Sequence, residues 1–108
     1  MIASDFTPSP GGRYREHGPN SGEEFRDDLL VPALESSRHV TVCLDGTAGY
    51  AGSFLEEAFG GLIRERGFKL AELRPRLTIV ANGPRYQVFR IMAENYLKEA
   101  AEKREKSA

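Results

Sequence analysis

Tryptophan is absent from this chain, cysteine occurs once and histidine twice among 108 residues. The lone thiol, Cys43, has no partner for an intramolecular disulfide and no ligand-spaced companions for zinc, so neither a staple nor a metal centre is expected. It stands inside an apolar strand pattern and reads as a small buried residue. His17 and His39 lie far apart beside polar segments and read as surface histidines, so no Ser/His/Asp or Cys/His arrangement can be assembled and no enzyme is expected. A net charge of −1 lacks the basic footprint of a general nucleic-acid binder. Arg13, Tyr14 and Arg15 are too few to tell a stacking surface from a guarded edge strand. No apolar run approaches the ~20 residues that span a bilayer, and no signal-peptide core follows Met1. These absences point to a cytoplasmic protein without cofactor or membrane anchor.

What remains is 108 residues of ordinary soluble composition, enough for one domain (1–108) with a single core and a charged helical tail over 98–108. No internal repeat is evident. Met1 to Phe6 is read as a short first strand and Arg13 to His17 as a second, separated by the turn chemistry of TPSPGG. Ser21-Gly-Glu-Glu24 is a capping box, opening a helix from about Gly22 to Glu35. Pro32 lies too deep for a first-turn proline and predicts a kink or break near Asp28 to Val31. His39–Leu44 and Leu77–Ala81 read as strands covered on both faces. A helix from Ser53 to about Arg66 lies between them, long enough for a crossover, so the strands should be parallel neighbours. A last helix follows Asn82-Gly83-Pro84, with Val88, Phe89, Met92, Tyr96 and Ala100 as its inner stripe and Glu99–Lys103 and Glu102–Lys106 as exposed pairs.

The segment from Val40 to Arg66 carries the strongest functional signal. VTVCLDG gives way to TAGYAG and then to SFLEEAFGGLIRER, placing Ser53 at the first corner of a helix. A helix start presents free N–H groups and the positive end of the dipole, and so suits an anion. Ser53 is either a cap, in a second box Ser53-Phe-Leu-Glu56, or the place where a phosphate arrives. Gly46, Gly49 and Gly52, with Asp45 and Thr47, make the preceding loop a candidate ligand or phosphate loop. The alternative is a tight connection needing positive φ, with Asp45 capping a turn.

These residues resemble the STAS domain of anti-sigma factor antagonists, in which a strand ends in a short loop whose serine is phosphorylated by a partner kinase. The chain is more closely similar to an uncharacterised bacterial STAS-like family, in which a segment like GGRYREHGPNSGEEFRDDLLVPAL precedes one like VTVCLDGTAGYAGSFLEEAFGGL. Ser53 lines up with the phosphorylatable serine, while Ala51 and Gly52 stand where the antagonists usually carry an aspartate and part of a serine pair. The resemblance implies an α/β, STAS-like fold: a small mixed or largely parallel sheet of about four strands with about three helices packed on it. It also implies a regulatory protein-interaction module, switched by phosphorylation at Ser53, whose partner is a histidine-kinase-like ATPase. Two other readings stay open: a small-ligand or nucleotide-binding domain using the Gly46–Ser53 loop, and a non-catalytic homo-oligomeric subunit.

The helix itself is two-faced. Phe54, Leu55, Ala58, Phe59, Leu62 and Ile63 fill one half of its circumference. Glu56 and Glu57 point about 100° apart and do not converge as an acid/base pair. Two glycines on the outward half cost helix stability without core packing, which marks Glu56, Glu57, Gly60, Gly61 and Arg64 as a flat strip against which a partner's backbone packs.

Overall fold

The structure is a computed structural model that describes the backbone of residues 1–107 and the side chains of 1–105. Two strands, β1 (Val40–Cys43) and β2 (Leu77–Val80), lie side by side in parallel, with Val40 opposite Leu77 and Cys43 opposite Val80. That adjacency is the one the intervening helix requires. The sheet is narrower than expected, with two strands among the described residues rather than about four. It is also one-sided. Val42 and Ile79 are buried, but the register partners Thr41 and Thr78 are exposed, so the strands alternate instead of being covered on both faces.

The two strands expected near the amino terminus are not strands. Ile2–Asp5 is a helical turn, closed by the Met1 ammonium on the Asp5 carboxylate at 2.8 Å, with Ile2 in the core. Arg15–His17 is a 3-10 turn ended by Gly18 at φ 133°, while Arg13 is drawn away to the central helix. Neither segment has a neighbouring strand to pair with, and strand structure depends on such pairing.

The amino-terminal helix runs over 22–36. Ser21 caps it, accepting from the Glu24 N–H at 3.0 Å, while the Glu24 carboxylate reaches back to Asn20 N–H rather than to Ser21 itself. The interruption expected between Asp28 and Val31 takes the form of a π-helical turn, Arg26–Leu30, in which the Val31 N–H bonds to the Arg26 carbonyl. Pro32 has no N–H to give the Asp28 carbonyl, and the widened turn lets the chain continue as helix through Val31–Ser36. Arg76 ends it, donating to the Leu34 and Ser37 carbonyls.

The central helix (52–64) contains a second π-turn, Glu56–Gly60. Its apolar half meets Phe25 and Phe6 in an aromatic cluster, with Phe25 stacked on Phe54 at 6.1 Å between ring centroids. Tyr50 continues this row to Phe89 of the C-terminal helix at 5.3 Å. A short helix, Leu70–Leu73, leads into β2.

The C-terminal helix (Gln87–Ser107) lies along the central helix and packs most closely on its π-turn. Its inner stripe centres on Ala93, Leu97 and Ala100, with Phe89, Met92 and Tyr96 beside them; Val88, placed on that stripe by spacing, is 54% exposed. The tail is not simply solvated, because Arg104 donates to the Ile63 and Phe68 carbonyls at 3.2 and 3.4 Å and so caps the central helix. The Glu102–Lys106 pair lies outside the described side chains. Among the described residues no helix is long and apolar enough to cross a membrane.

Candidate functional site

Ser53 is the second residue of the central helix, not its cap. Ala51 holds the cap position, and the Phe54 and Leu55 N–H groups both bond to the Ala51 carbonyl, at 3.1 and 3.3 Å. No side-chain cap bond closes the corner. The second capping box is therefore absent: Glu56, which should have reached back, is taken by Arg13 and Arg64. Ser53 is left partly exposed in the first turn, with its hydroxyl free of the role that spacing alone assigns it.

The loop before it is tied inward. The Asp45 carboxylate accepts from the Asn82 N–H at 2.8 Å and the Gly83 N–H at 2.7 Å, so it caps the turn that follows β2. Those backbone donors, with the Cys43 thiol adding a bond at 3.1 Å, hold the Asp45 carboxyl below its ordinary range. Cys43 is accordingly only partly buried, not a sealed core residue; burial pushes its thiol up, and the neighbouring carboxylate adds to that. Gly46 and Gly49 adopt φ of 89° and 127°, the positive values a tight connection needs. Thr47 is buried, and its carbonyl accepts from Tyr86 Oη. Gly52 has ordinary φ but faces the C-terminal helix, where a Cβ would come within 3.2 Å of Tyr96 Oη. Tyr50 Oη bonds the Leu44 carbonyl at 2.9 Å, and burial pushes its hydroxyl up to about 12. Arg85 reaches this loop, donating to the Ala48 carbonyl at 3.4 Å.

The middle of the strip expected to face outward is inside, while Glu56 is half-buried and Arg64 exposed. Glu57 is 2% exposed, and Gly60 and Gly61 are buried. A Cβ on Gly60 would collide with the Glu56 carboxylate and come within 3.5 Å of the Tyr96 carbonyl. One on Gly61 would collide with the Arg26 guanidinium, whose Cδ lies 3.2 Å from that point. A backbone does pack on Gly60, that of the chain's own C-terminal helix, whereas Gly61 is covered by the Arg26 side chain of the amino-terminal helix.

Here the two glutamates converge after all, not as an acid/base pair but through arginines. Arg64 bonds Glu56 at 2.5 Å and Glu57 at 2.9 Å, and Arg13 bridges the same two carboxylates. Arg26, 4% exposed, pairs with Glu57 and with its neighbour Asp27, and Arg66 closes the far side on Asp27 at 3.0 Å. The two π-turns thus face each other across the Arg26–Glu57 pair. Burial pushes the Glu56 carboxyl up, but Arg64 and Arg13 outweigh it and hold the group below its ordinary value. The network's charge is largely balanced, so Glu56 and Glu57 do not make the Ser53 corner strongly negative. Sequence reasoning missed Arg26 altogether and weighed Arg13 only as part of a stacking surface or a guarded edge strand. The one available signal was a pair of glycines on a helix face whose neighbour had not been named.

No match was found among curated proteins or among solved structures. A family model does match, across residues 21–87, from the Ser21 cap through both strands, the central helix and the turn into the last helix. The chain belongs to the family of STAS-like domains of unknown function (DUF4325).

Proposed function

We propose that this chain is a non-catalytic regulatory module that binds a protein partner at the Ser53 corner and is switched by phosphorylation of Ser53. The observation that carries this reading is the uncommitted hydroxyl. Ser53 is partly exposed in the first turn of a helix that follows strand and loop, and the cap that would have explained it structurally is absent. A phosphate there meets the positive end of the helix and adds about −1.5 to −2 charges beside carboxylates that arginines already balance. The likeness of the family to STAS domains makes a histidine-kinase-like ATPase the partner to test.

A small-ligand site in the Gly46–Ser53 loop is the weaker reading. Arg85 is within reach, but Asp45 is bonded to two backbone N–H groups and Thr47 is buried under Tyr86. The experiment is a binding titration of the candidate ATPase against wild type, Ser53→Asp and Ser53→Ala. Ser53→Asp is expected to lose binding while remaining folded, and Ser53→Ala to keep it. Wild-type affinity in Ser53→Asp would remove the switch.

A further inference from the structure

Arg13, Arg64, Arg66, Lys103 and Arg104 converge with Tyr14 around a cleft of about 940 Å³, between the end of the central helix, the Arg13 loop and the C-terminal helix. Three carboxylates, from Glu56, Glu65 and Glu99, share its wall. Behind that wall Glu57 pairs with Arg13 and Arg64, and Asp27 with Arg66, whereas Arg104 bonds backbone carbonyls.

The cations are also held in place. Arg64 and Arg13 are fixed by Glu56 and Glu57, Arg66 by Asp27, and Arg104 by two carbonyls. Arg66 and Arg104 each commit a single terminal nitrogen to these bonds, leaving other guanidinium N–H donors for a ligand. Fixed guanidiniums of this kind suit phosphate oxygens. Tyr14, 39% exposed, stands at one side, with the Arg13 guanidinium 5.9 Å from its ring centroid and the His17 ring tilted against it at 5.4 Å. The volume is at the upper end of small-molecule sites, which favours a ligand with both a phosphate and a planar ring system over a single ion.

We propose that this cleft binds a nucleotide, with its phosphates held by Arg66, Lys103 and Arg104 and its base against Tyr14. The phosphate-holding end lies away from the Ser53 corner, since Ser53 and Arg64 stand roughly 16 Å apart along the central helix at 1.5 Å per residue, although Glu56 brings the cleft wall within one turn of Ser53. Nucleotide binding here does not rest on the switch proposed there.

The test is calorimetric titration with ADP at low salt, using adenosine and inorganic pyrophosphate as companions. The variants are Arg66→Gln with Lys103→Gln, and Tyr14→Ala; all three positions are exposed, and melting curves check that the variants remain folded. Wild type is expected to bind ADP with a sub-millimolar Kd and adenosine much more weakly. The double variant should lose about tenfold or more in affinity for ADP. Tyr14→Ala should weaken ADP severalfold and leave pyrophosphate unchanged. No ADP binding at millimolar concentration, undiminished binding in the double variant, or adenosine binding as tightly as ADP would each overturn the proposal.

Discussion

The first turn and the middle of the central helix use polar side chains in opposite ways. In the middle, Glu57 is almost wholly buried and engages Arg13, Arg26 and Arg64, so removing a partner strands a charge. At the first turn, Ser53 is partly exposed and closes no cap, so the fold asks little of it. One region has conspicuous charges that serve the fold, and the other has a plain hydroxyl that closes no cap. Charged residues on a helix are thus a poor guide to function unless their partners are known.

The largest effect should come from breaking the buried pair. Glu57→Ala takes away the buried partner of the Arg26 guanidinium and leaves it Asp27 alone, and is expected to cost about 3 kcal/mol, read by urea denaturation. An effect below about 1 kcal/mol would mean that water reaches Arg26 and that the two regions differ less than described. Next comes Gly22→Ala, at the crossing of the two helices. A Cβ there would overlap the Phe54 carbonyl oxygen and sit 3.2 Å from its Cα, a backbone contact that no rotamer relieves. A loss of about 1–3 kcal/mol is expected by the same measurement, despite the higher helix propensity of alanine.

Acid should separate the regions more gently. Burial raises Glu56 and Asp27, but their arginines prevail and both carboxyls sit below their ordinary values of 4.5 and 3.8. A carboxylate with a depressed folded pKa stabilises the fold fully above its unfolded value, and that contribution is lost as pH falls through the folded value. The melting temperature of wild type should therefore exceed that of Glu56→Gln at neutral pH, and the gap should close progressively below about 4.5. A gap independent of pH would assign the difference to packing. The smallest effect is expected at the other region: Ser53→Ala should change stability by less than about 0.5 kcal/mol, since no cap is lost.

The sequence displayed its local rules well and its long-range ones poorly. The Ser21 cap, the irregular turn before Pro32, the parallel pair β1–β2 and Asp45 as a turn cap all follow from chemistry within a few residues or from one crossover length. The direction faced by Gly60 and Gly61 did not, because it depends on Arg26, more than thirty positions away, and on a C-terminal helix that covers the second face. The π-turn also adds a residue to one turn, which a fixed helical period cannot anticipate. At the site, Ser53 was found by its place after β1, yet its freedom from capping became visible only once Glu56 was seen bound elsewhere.

The most direct measurement is intact mass after incubation of wild type and Ser53→Ala with ATP and a histidine-kinase-like ATPase from the same cell. The account predicts one phosphate on wild type and none on Ser53→Ala. No phosphate on either protein, or one retained by Ser53→Ala, would contradict it.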